Sequence, residues 1–384
     1  MEQYQGVVKL VNEIENIPDP RRQNGNLRHP FVSLIVSAIL AVLAGCDSWE
    51  DISRYVTFNF EWFKDIIPFP NGAPSPDTYS RIFSLINADA FEKVFISWVN
   101  SMKDQINKEE YKIEHIALDG KTIRRSHSLN KGLKPLHVVS AYSTSTGLVL
   151  AQRTVDEKSN EITAIPEVLD LIDLENTVTT IDAIGCQKKI ADKIIQKGGD
   201  YLLAVKGNQD FTYNLIQEYF DVKQISYLRK YTTISTNQNH GRDEERNYYV
   251  SEELNSNIIL QTKWSHLKSV IMVEANRLIN GSLSTEKRYY LSSLPASEIE
   301  TIGNSIRSHW GVENSVHWVL DMVFREDECR KRERNSAMAF SLLRKFALNA
   351  LNIYQQKMPK KRSIRLLRKE CGWAPSFLLE VIGI

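Results

Sequence analysis

The hydrophobic pattern changes register several times along the chain, and each change marks a different kind of element. The most apolar stretch, FVSLIVSAILAVLAGC from Phe31 to Cys46, contains Ser33 and Ser37 and runs straight into Asp47, Glu50 and Asp51. At 16 residues it is short for a membrane span, so the pattern predicts a buried core helix opened by His29-Pro30. Trp49, Ile52 and Tyr55 continue helical spacing. The segment PFPNGAPSPDTYSRIFSLI then brings four prolines before a new periodic run, with Ser75 or Asp77 as its N-cap. Residues 1–105 therefore read as a helical module, suited to DNA binding or, equally, to packing or dimerisation.

From residue 111 the period shortens. YKIEHIALDG reads as a strand ending in an acidic residue, and HVVSAYS and LVLAQRTV flank Thr144-Ser145-Thr146-Gly147 as a hairpin. EITAIPEVLDLI is helical, TVTTIDA a strand, Gln187 to Lys197 a helix and YLLAVKG a strand. Three strands joined by turns, then strand–helix units, predict an α/β fold: a mixed sheet flanked by helices. After the helix DFTYNLIQEYF, the pieces YTTIST, RNYYVSE, SVIMVEANRL and KRYYLSSL follow one another without a helix, predicting a β-rich insertion at about 222–296. From Ile299 onward the chain returns to helices. The second region, 106–384, is thus one interrupted domain.

Composition narrows the function classes. The 384 residues carry 48 basic and 47 acidic side chains, with 42% apolar and 25% charged residues. These values exclude a disordered chain, a collagen-like repeat and a polycation that binds nucleic acid by bulk charge. Cys46, Cys186, Cys329 and Cys371 lie far apart, which argues against a zinc ribbon or disulfide scaffold. MEQYQGVVKL lacks the regions of a signal peptide, so reduced thiols in the cytoplasm are expected. Gly120-Lys121-Thr122 lacks the glycine five residues upstream that a P-loop needs.

Three carboxylates stand where chemistry is expected. Asp119 follows the strand IEHIAL, Asp182 follows TVTTI, and Glu313 lies in the amphipathic helix IRSHWGVENSVHWVLDMVF. Acids on neighbouring strand ends repel unless a cation intervenes, so their pairing points to Mg²⁺ or Mn²⁺. The alternative for any one Asp is a turn former or helix cap. Between Gly120 and Val155 there are six basic residues (Lys121, Arg124, Arg125, Lys131, Lys134, Arg153) and no acid. Acids for metal beside cations for a phosphate backbone suit a phosphodiester substrate.

The chain resembles the DDE transposases of bacterial insertion sequences, in particular the H-repeat-associated group of Rhs elements. The resemblance rests on HIALDGKTIRRS, TIDAIGCQ, YLLAVKGNQ, HGRDEERNYY, RYYLSSL, IRSHWGVENSVHWVLDMVFREDECR and NSAMAFSLLRKFALNAL, in that order from about residue 10 to 370. It implies an RNase H-like core, with Asp119, Asp182 and Glu313 as a catalytic triad holding two Mg²⁺ or Mn²⁺ ions. It further implies double-stranded DNA as partner (terminal inverted repeats and target), a synaptic homodimer, no membrane, and a nucleoid-associated place in the bacterial cytoplasm. Related transposases carry Tyr-x2-Arg-x3-Glu-x6-Lys around the last acid. Here those positions are Ile306, His309, Glu313 and Leu320, so hairpin-type processing is not implied. Two rival readings remain: a non-catalytic DNA-binding relic, and an RNase H-like nuclease without strand transfer.

Other residues take secondary expectations. His309, Glu313, His317 and Asp321 recur every fourth residue. A transition-metal site fits that spacing, but flanking roles for the histidines and an Asp321–Arg325 pair are preferred. Trp310 and Trp318 are expected in the core. Lys121, Arg124, Arg125, Lys206 and His309 are candidate phosphate contacts, as are Arg242 and Arg246 beside His240 and Gly241 in the insertion. Gln187 either supports the site or caps its helix. The segment from Lys357 to Lys369 holds seven basic residues, Lys360, Lys361 and Arg362 among them, and no acid. A solvated face is the plain reading and backbone contact the functional one. Arg21, Arg22 and Arg28 could act likewise at the other end.

Overall fold

The computed structural model describes residues 5–22, 27–103, 106, 113–127, 132–155, 161–223, 225–237, 242–279 and 282–383. The helical region opens with α1 (Gln5–Glu15), α2 (Phe31–Leu43), α3 (Trp49–Phe58), α4 (Phe60–Lys64), α5 (Pro76–Leu85) and α6 (Ala88–Lys103). Every residue of α2 except Val32 is buried. Its two serines survive there because Ser33 Oγ donates to the Pro68 carbonyl (2.8 Å) and Ser37 Oγ meets the Tyr79 hydroxyl (2.8 Å). Among the described residues no helix is long and apolar enough to cross a membrane. The cap of α5 is Ser75, whose Oγ accepts from the Thr78 N–H.

A single nine-stranded mixed sheet forms the next layer, in the order β3-β2-β1-β4-β5-β9-β8-β7-β6. Its first strands are β1 (Glu114–Ile123), β2 (Leu136–Ser143) and β3 (Leu148–Val155), all antiparallel; α7 (Glu161–Asp170) leads to β4 (Thr177–Ile181), and α8 (Lys188–Gln196) to β5 (Asp200–Val205). Strand β4 runs parallel to β1, and β5 parallel to β4. After α9 (Asp210–Val222), the strands β6 (Arg229–Asn237), β7 (Arg242–Ser251), β8 (Ser269–Ile279) and β9 (Ser282–Ser292) form an antiparallel meander, with α10 (Ile258–Lys263) between β7 and β8. Because β9 pairs with β5, these strands extend the same sheet.

Helices close the chain: α11 (Ile299–His309), α12 (Trp318–Met322), α13 (Arg334–Lys357), α14 (Ile364–Trp373) and α15 (Pro375–Ile382). Helix α13 joins the layers. Phe346 sits among Phe91, Phe95 and Trp98 of α6, with ring centroids 4.9–5.8 Å apart. On its other side Asn349 bonds the backbone N–H and carbonyl of Val149 in β3, both at 2.9 Å. The four cysteines are free and buried.

Three expectations need correction. The run from Ile306 to Phe324 is not one regular helix, since α11 ends at His309 and a π-helical turn at Glu313–His317 precedes α12. Trp310 and Trp318 are 50% and 58% exposed rather than in the core, because Val312, Val316 and Val319 take the inward positions. Asp321 pairs with Lys121 at 2.7 Å, while Arg325 turns away in a left-handed conformation (φ 52°) and pairs with Glu328.

Candidate active site

Strand register brings the first two acids together. Leu118 lies opposite Ile181 on the parallel pair β1–β4, so Asp119 and Asp182 follow at the same level on neighbouring strands. Asp119 does not end its strand, as the sequence suggested. Strand β1 continues to Ile123 against β2, and the rim arises because β4 stops at Ile181. Beyond that stop Asp182 caps a short turn, its Oδ1 accepting from the N–H groups of Ile184 (3.1 Å) and Gly185 (3.4 Å).

The turn is clamped from the next strand's exit. Asn208 Nδ2 donates to the Ala183 carbonyl (2.6 Å) and Gln209 Nε2 to that of Cys186 (2.8 Å). This accounts for the GNQ that follows β5. Gly185 is required by close packing, since a Cβ there would stand 2.2 Å from Ile181 Cγ2. Gln187 begins α8 without a side-chain cap bond and donates to the Ile184 carbonyl instead.

The third acid arrives from the π turn. Glu313 is 56% exposed at its side chain, and its Oε2 lies 3.1 Å from His317 Nδ1. The same nitrogen lies 3.5 Å from Asp119 Oδ2. Ligating atoms of Asp119, Glu313 and His317 all fall within 4.8 Å of one another. Turns of π-helix are frequent at functional sites. Here the turn carries Glu313 to the cavity while Val312 and Val316 stay buried. Asp119, Asp182 and Glu313 line one cavity of about 550 Å³ with Lys206, Arg288, His309 and Trp310. The Arg288 guanidinium lies over the Trp310 ring, 5.8 Å from its centroid.

The electrostatics are those of acids short of positive charge. Burial pushes the Asp119 carboxyl up to about 7; the Gly120 N–H opposes this, and the charges of Asp182, Glu161 and Glu313 add to it. Burial, then Glu161, also raises Asp182, with Lys206 opposing. Glu161 was not foreseen as a site residue. It reaches Asp119 because Gly120 has no side chain: a Cβ there would stand 2.5 Å from Glu161 Oε1 and 2.6 Å from His137 Nε2, which themselves pair at 2.7 Å. The carboxylate oxygens of Asp119, Asp182 and Glu313 fit a hard divalent cation. A cation would also relieve the like-charge repulsion that raises Asp119.

Beneath the acids runs a chain of neutral polar groups. His115 bonds Thr144 Oγ1 (2.8 Å) and Thr180 Oγ1 (2.9 Å), and Thr180 Oγ1 bonds His309 Nδ1 (2.8 Å). Burial pushes His115 down to about 3 and His309 down to about 4, so neither is a cation at neutral pH. His309 can hydrogen-bond at the cavity wall but does not offer charge there.

The other candidate contacts scatter. Lys206 and Arg125 are exposed, and Arg124 is exposed with its Nε 3.2 Å from Asp327. Lys121 is turned inward, holding Asp321 at 2.7 Å and Asp327 at 3.3 Å. Arg246 is held by Glu244 at 2.9 Å. Arg242 lies on β7, but its side chain, like His240, Gly241 and Lys131, falls outside the described residues. Lys360, Lys361 and Arg362 are exposed around a cavity between α13 and α14. Their neighbour Arg368 is buried, lying over the Phe324 ring and bonding Asp47 at 2.7 Å, so the basic run is not one solvated face.

Residues 110–350 match the family model described as a transposase DDE domain, and residues 11–99 match the model described as DDE_Tnp_1-associated. The chain is 37% identical over 365 residues to the "H repeat-associated putative transposase YhhI" of Escherichia coli K12, covering 94% of each chain. It is 40% identical over 380 residues to the "Putative transposase YncI" of Escherichia coli O157:H7, covering 98% of this chain and 95% of the relative. Among solved structures a piggyBac transposase synaptic complex with hairpin DNA matches with TM-score 0.47 and 11% identity, over 98% of this chain and 81% of the other.

Proposed function

The chain belongs to the family of proteins with a transposase DDE domain, and from that premise we propose that it cuts the ends of an insertion sequence and joins them to target DNA. The observation that carries the proposal is the meeting of Asp119, Asp182 and Glu313, from two strands and a helical turn, at one cavity. The order β3-β2-β1-β4-β5, with β4 and β5 parallel to β1, supports an RNase H-like core for residues 106–384. The meander at about 222–296 is then its insertion and residues 1–105 its helical partner in DNA binding or dimerisation.

Mg²⁺ or Mn²⁺, as a pair of ions, would be held by Asp119, Asp182 and Glu313 and would offset charge on the attacking and leaving oxygens. The chain's own groups fix these carboxylates beforehand. Backbone N–H groups hold Asp182 and Asp119. His317, facing two groups that only accept when ionised, presents its Nδ1 proton to Glu313 and Asp119. Lys206 at the cavity wall neutralises a scissile phosphate. Water attacks first and frees a 3′-hydroxyl. That hydroxyl then attacks the target phosphodiester in line, with no covalent protein–DNA intermediate. Backbone contacts are assigned to Arg124, Arg125, Arg242 and the Lys360–Arg362 group. The working form is a homodimer that synapses two DNA ends in the bacterial nucleoid.

The test is a strand-transfer assay. The chain, Mg²⁺ and a short duplex carrying the gene's flanking sequence with a free 3′-hydroxyl are mixed with a supercoiled plasmid. Covalent joining of the duplex to the plasmid is expected. Nicking without joining would favour the nuclease reading, and binding with neither would favour a relic.

A further inference from the structure

The N-terminal helices enclose a second cavity, of about 300 Å³, between the first turns of α2 and α5. Its wall includes Arg21, Arg28, His29, Ser75, Thr78 and Arg81.

Its charge is one-sided. Arg21 is pinned by Asp19 at 2.7 Å and donates to the His29 carbonyl at 2.9 Å. Arg28 and Arg81 are exposed and have no carboxylate within ion-pair distance among the described residues. Asp77, on the same turn as Thr78, lines a different cavity. Three guanidiniums therefore wall a space answered by the single carboxylate of Asp19. His29 is only 8% exposed, and its Nδ1 has no hydrogen-bond partner among the described residues. A buried polar atom left unpaired is costly and marks a place where a ligand or ion completes the structure. Burial, then Arg28 and Arg21, hold His29 below its usual pKa, so the imidazole can serve as a neutral donor beside the guanidiniums.

We propose that this cavity is a phosphate site that takes one backbone phosphodiester of duplex DNA, held by Arg28 and Arg81 against His29. The planar, permanently charged guanidinium suits a phosphate diester, and the cavity opens to the surface as a duplex requires. The choice of DNA as the phosphate's source rests on the proposed function; the anion site itself does not.

The experiment has two arms on the full chain. In the first, a fluorescein-labelled 30-base-pair duplex of arbitrary sequence is titrated between 50 and 200 mM salt with wild type and with an Arg28→Gln/Arg81→Gln variant whose melting temperature has been checked. The slope of log affinity against log salt is expected to fall by about 0.9, one phosphate's worth, with affinity lost alike on every sequence. In the second, inorganic phosphate is titrated calorimetrically, and its binding should vanish in the variant. An unchanged DNA slope with phosphate binding lost in the variant would overturn DNA as the occupant and leave a site for free anions. Loss of neither would overturn the site. A wild-type chain that binds no duplex would sink the proposed function, while the phosphate arm would still judge the cavity.

Discussion

Replacing Lys121 by Met separates a structural lysine from a DNA-contacting one. Its side chain is 11% exposed and its Nζ holds Asp321 at 2.7 Å and Asp327 at 3.3 Å, which are 30% and 25% exposed. Burial alone would drive the ammonium toward neutrality, but Glu326, Asp321 and Asp327 hold it above its usual pKa. Removing it strands the half-buried Asp321, while Asp327 keeps Arg124. Breaking a fully buried pair costs about 3–5 kcal/mol. Partial exposure of both partners reduces this to about 2.5 kcal/mol. Unfolding entropy of about 2.1 cal/mol/K per residue gives roughly 0.8 kcal/mol/K for 384 residues unfolding together. The melting temperature should therefore fall by about 3 °C, read by calorimetry at pH 7. The salt slope of DNA binding should stay where it was. An unchanged melting temperature together with a slope reduced by about 1 would refute the reasoning and return Lys121 to the DNA surface.

Other substitutions probe the remaining links. Gly120→Ala would put a Cβ 2.5 Å from Glu161 Oε1, the far end of a flexible side chain that can swing aside, so a loss of no more than about 1 kcal/mol is expected in urea unfolding; a larger loss would mean that Glu161 is held rigidly against β1. Asn208→Ala with Gln209→Ala frees the turn bearing Asp182. Cleavage at saturating DNA should slow about 10–100-fold, since small misplacements of catalytic groups are that costly, while DNA affinity holds. Lys345 is buried, and burial pushes its ammonium down to about 8. The unfolded chain therefore binds more protons at this lysine between about pH 8 and its unperturbed pKa near 10.4, so its own contribution to stability rises with pH across that window, while the Cys46, Cys186 and Cys371 thiols, pushed up to about 12 by burial, contribute in the opposite sense. Lys331, also lowered to about 8, shares the effect. The stability of wild type relative to Lys345→Met should rise across that window, and a difference that falls or stays flat would contradict the buried placement.

How much of this was legible in the chain depends on the kind of signal. The buried α2, the β2–β3 hairpin and the alternation of strands with α7 and α8 follow from period alone, because local patterning and tertiary burial agree there. The three acids stand out in the chain through their motifs, and register explains why Asp119 and Asp182 share a level. The long amphipathic run hid its π turn, because a helical pattern does not reveal where one extra residue enters a turn. Glu161 was invisible, since its approach to Asp119 depends on the missing Cβ of Gly120, far away in sequence. Trp310 and Trp318 misled because tryptophan's bulk suggests burial, while the smaller valines beside them take the inward face. Lys121 and Arg368 misled for the opposite reason: a basic residue in a basic segment suggests solvent, but carboxylates from distant segments draw each into the fold.

The central claim is that Asp119, Asp182 and Glu313 together perform phosphoryl transfer on DNA. It is tested most directly by Mg²⁺-dependent nicking at the element ends with Asp119→Asn, Asp182→Asn and Glu313→Gln in parallel with wild type, each checked for DNA affinity. Wild type should nick and leave a 3′-hydroxyl, and all three variants should lose nicking with binding intact. Nicking retained by Asp182→Asn would contradict it.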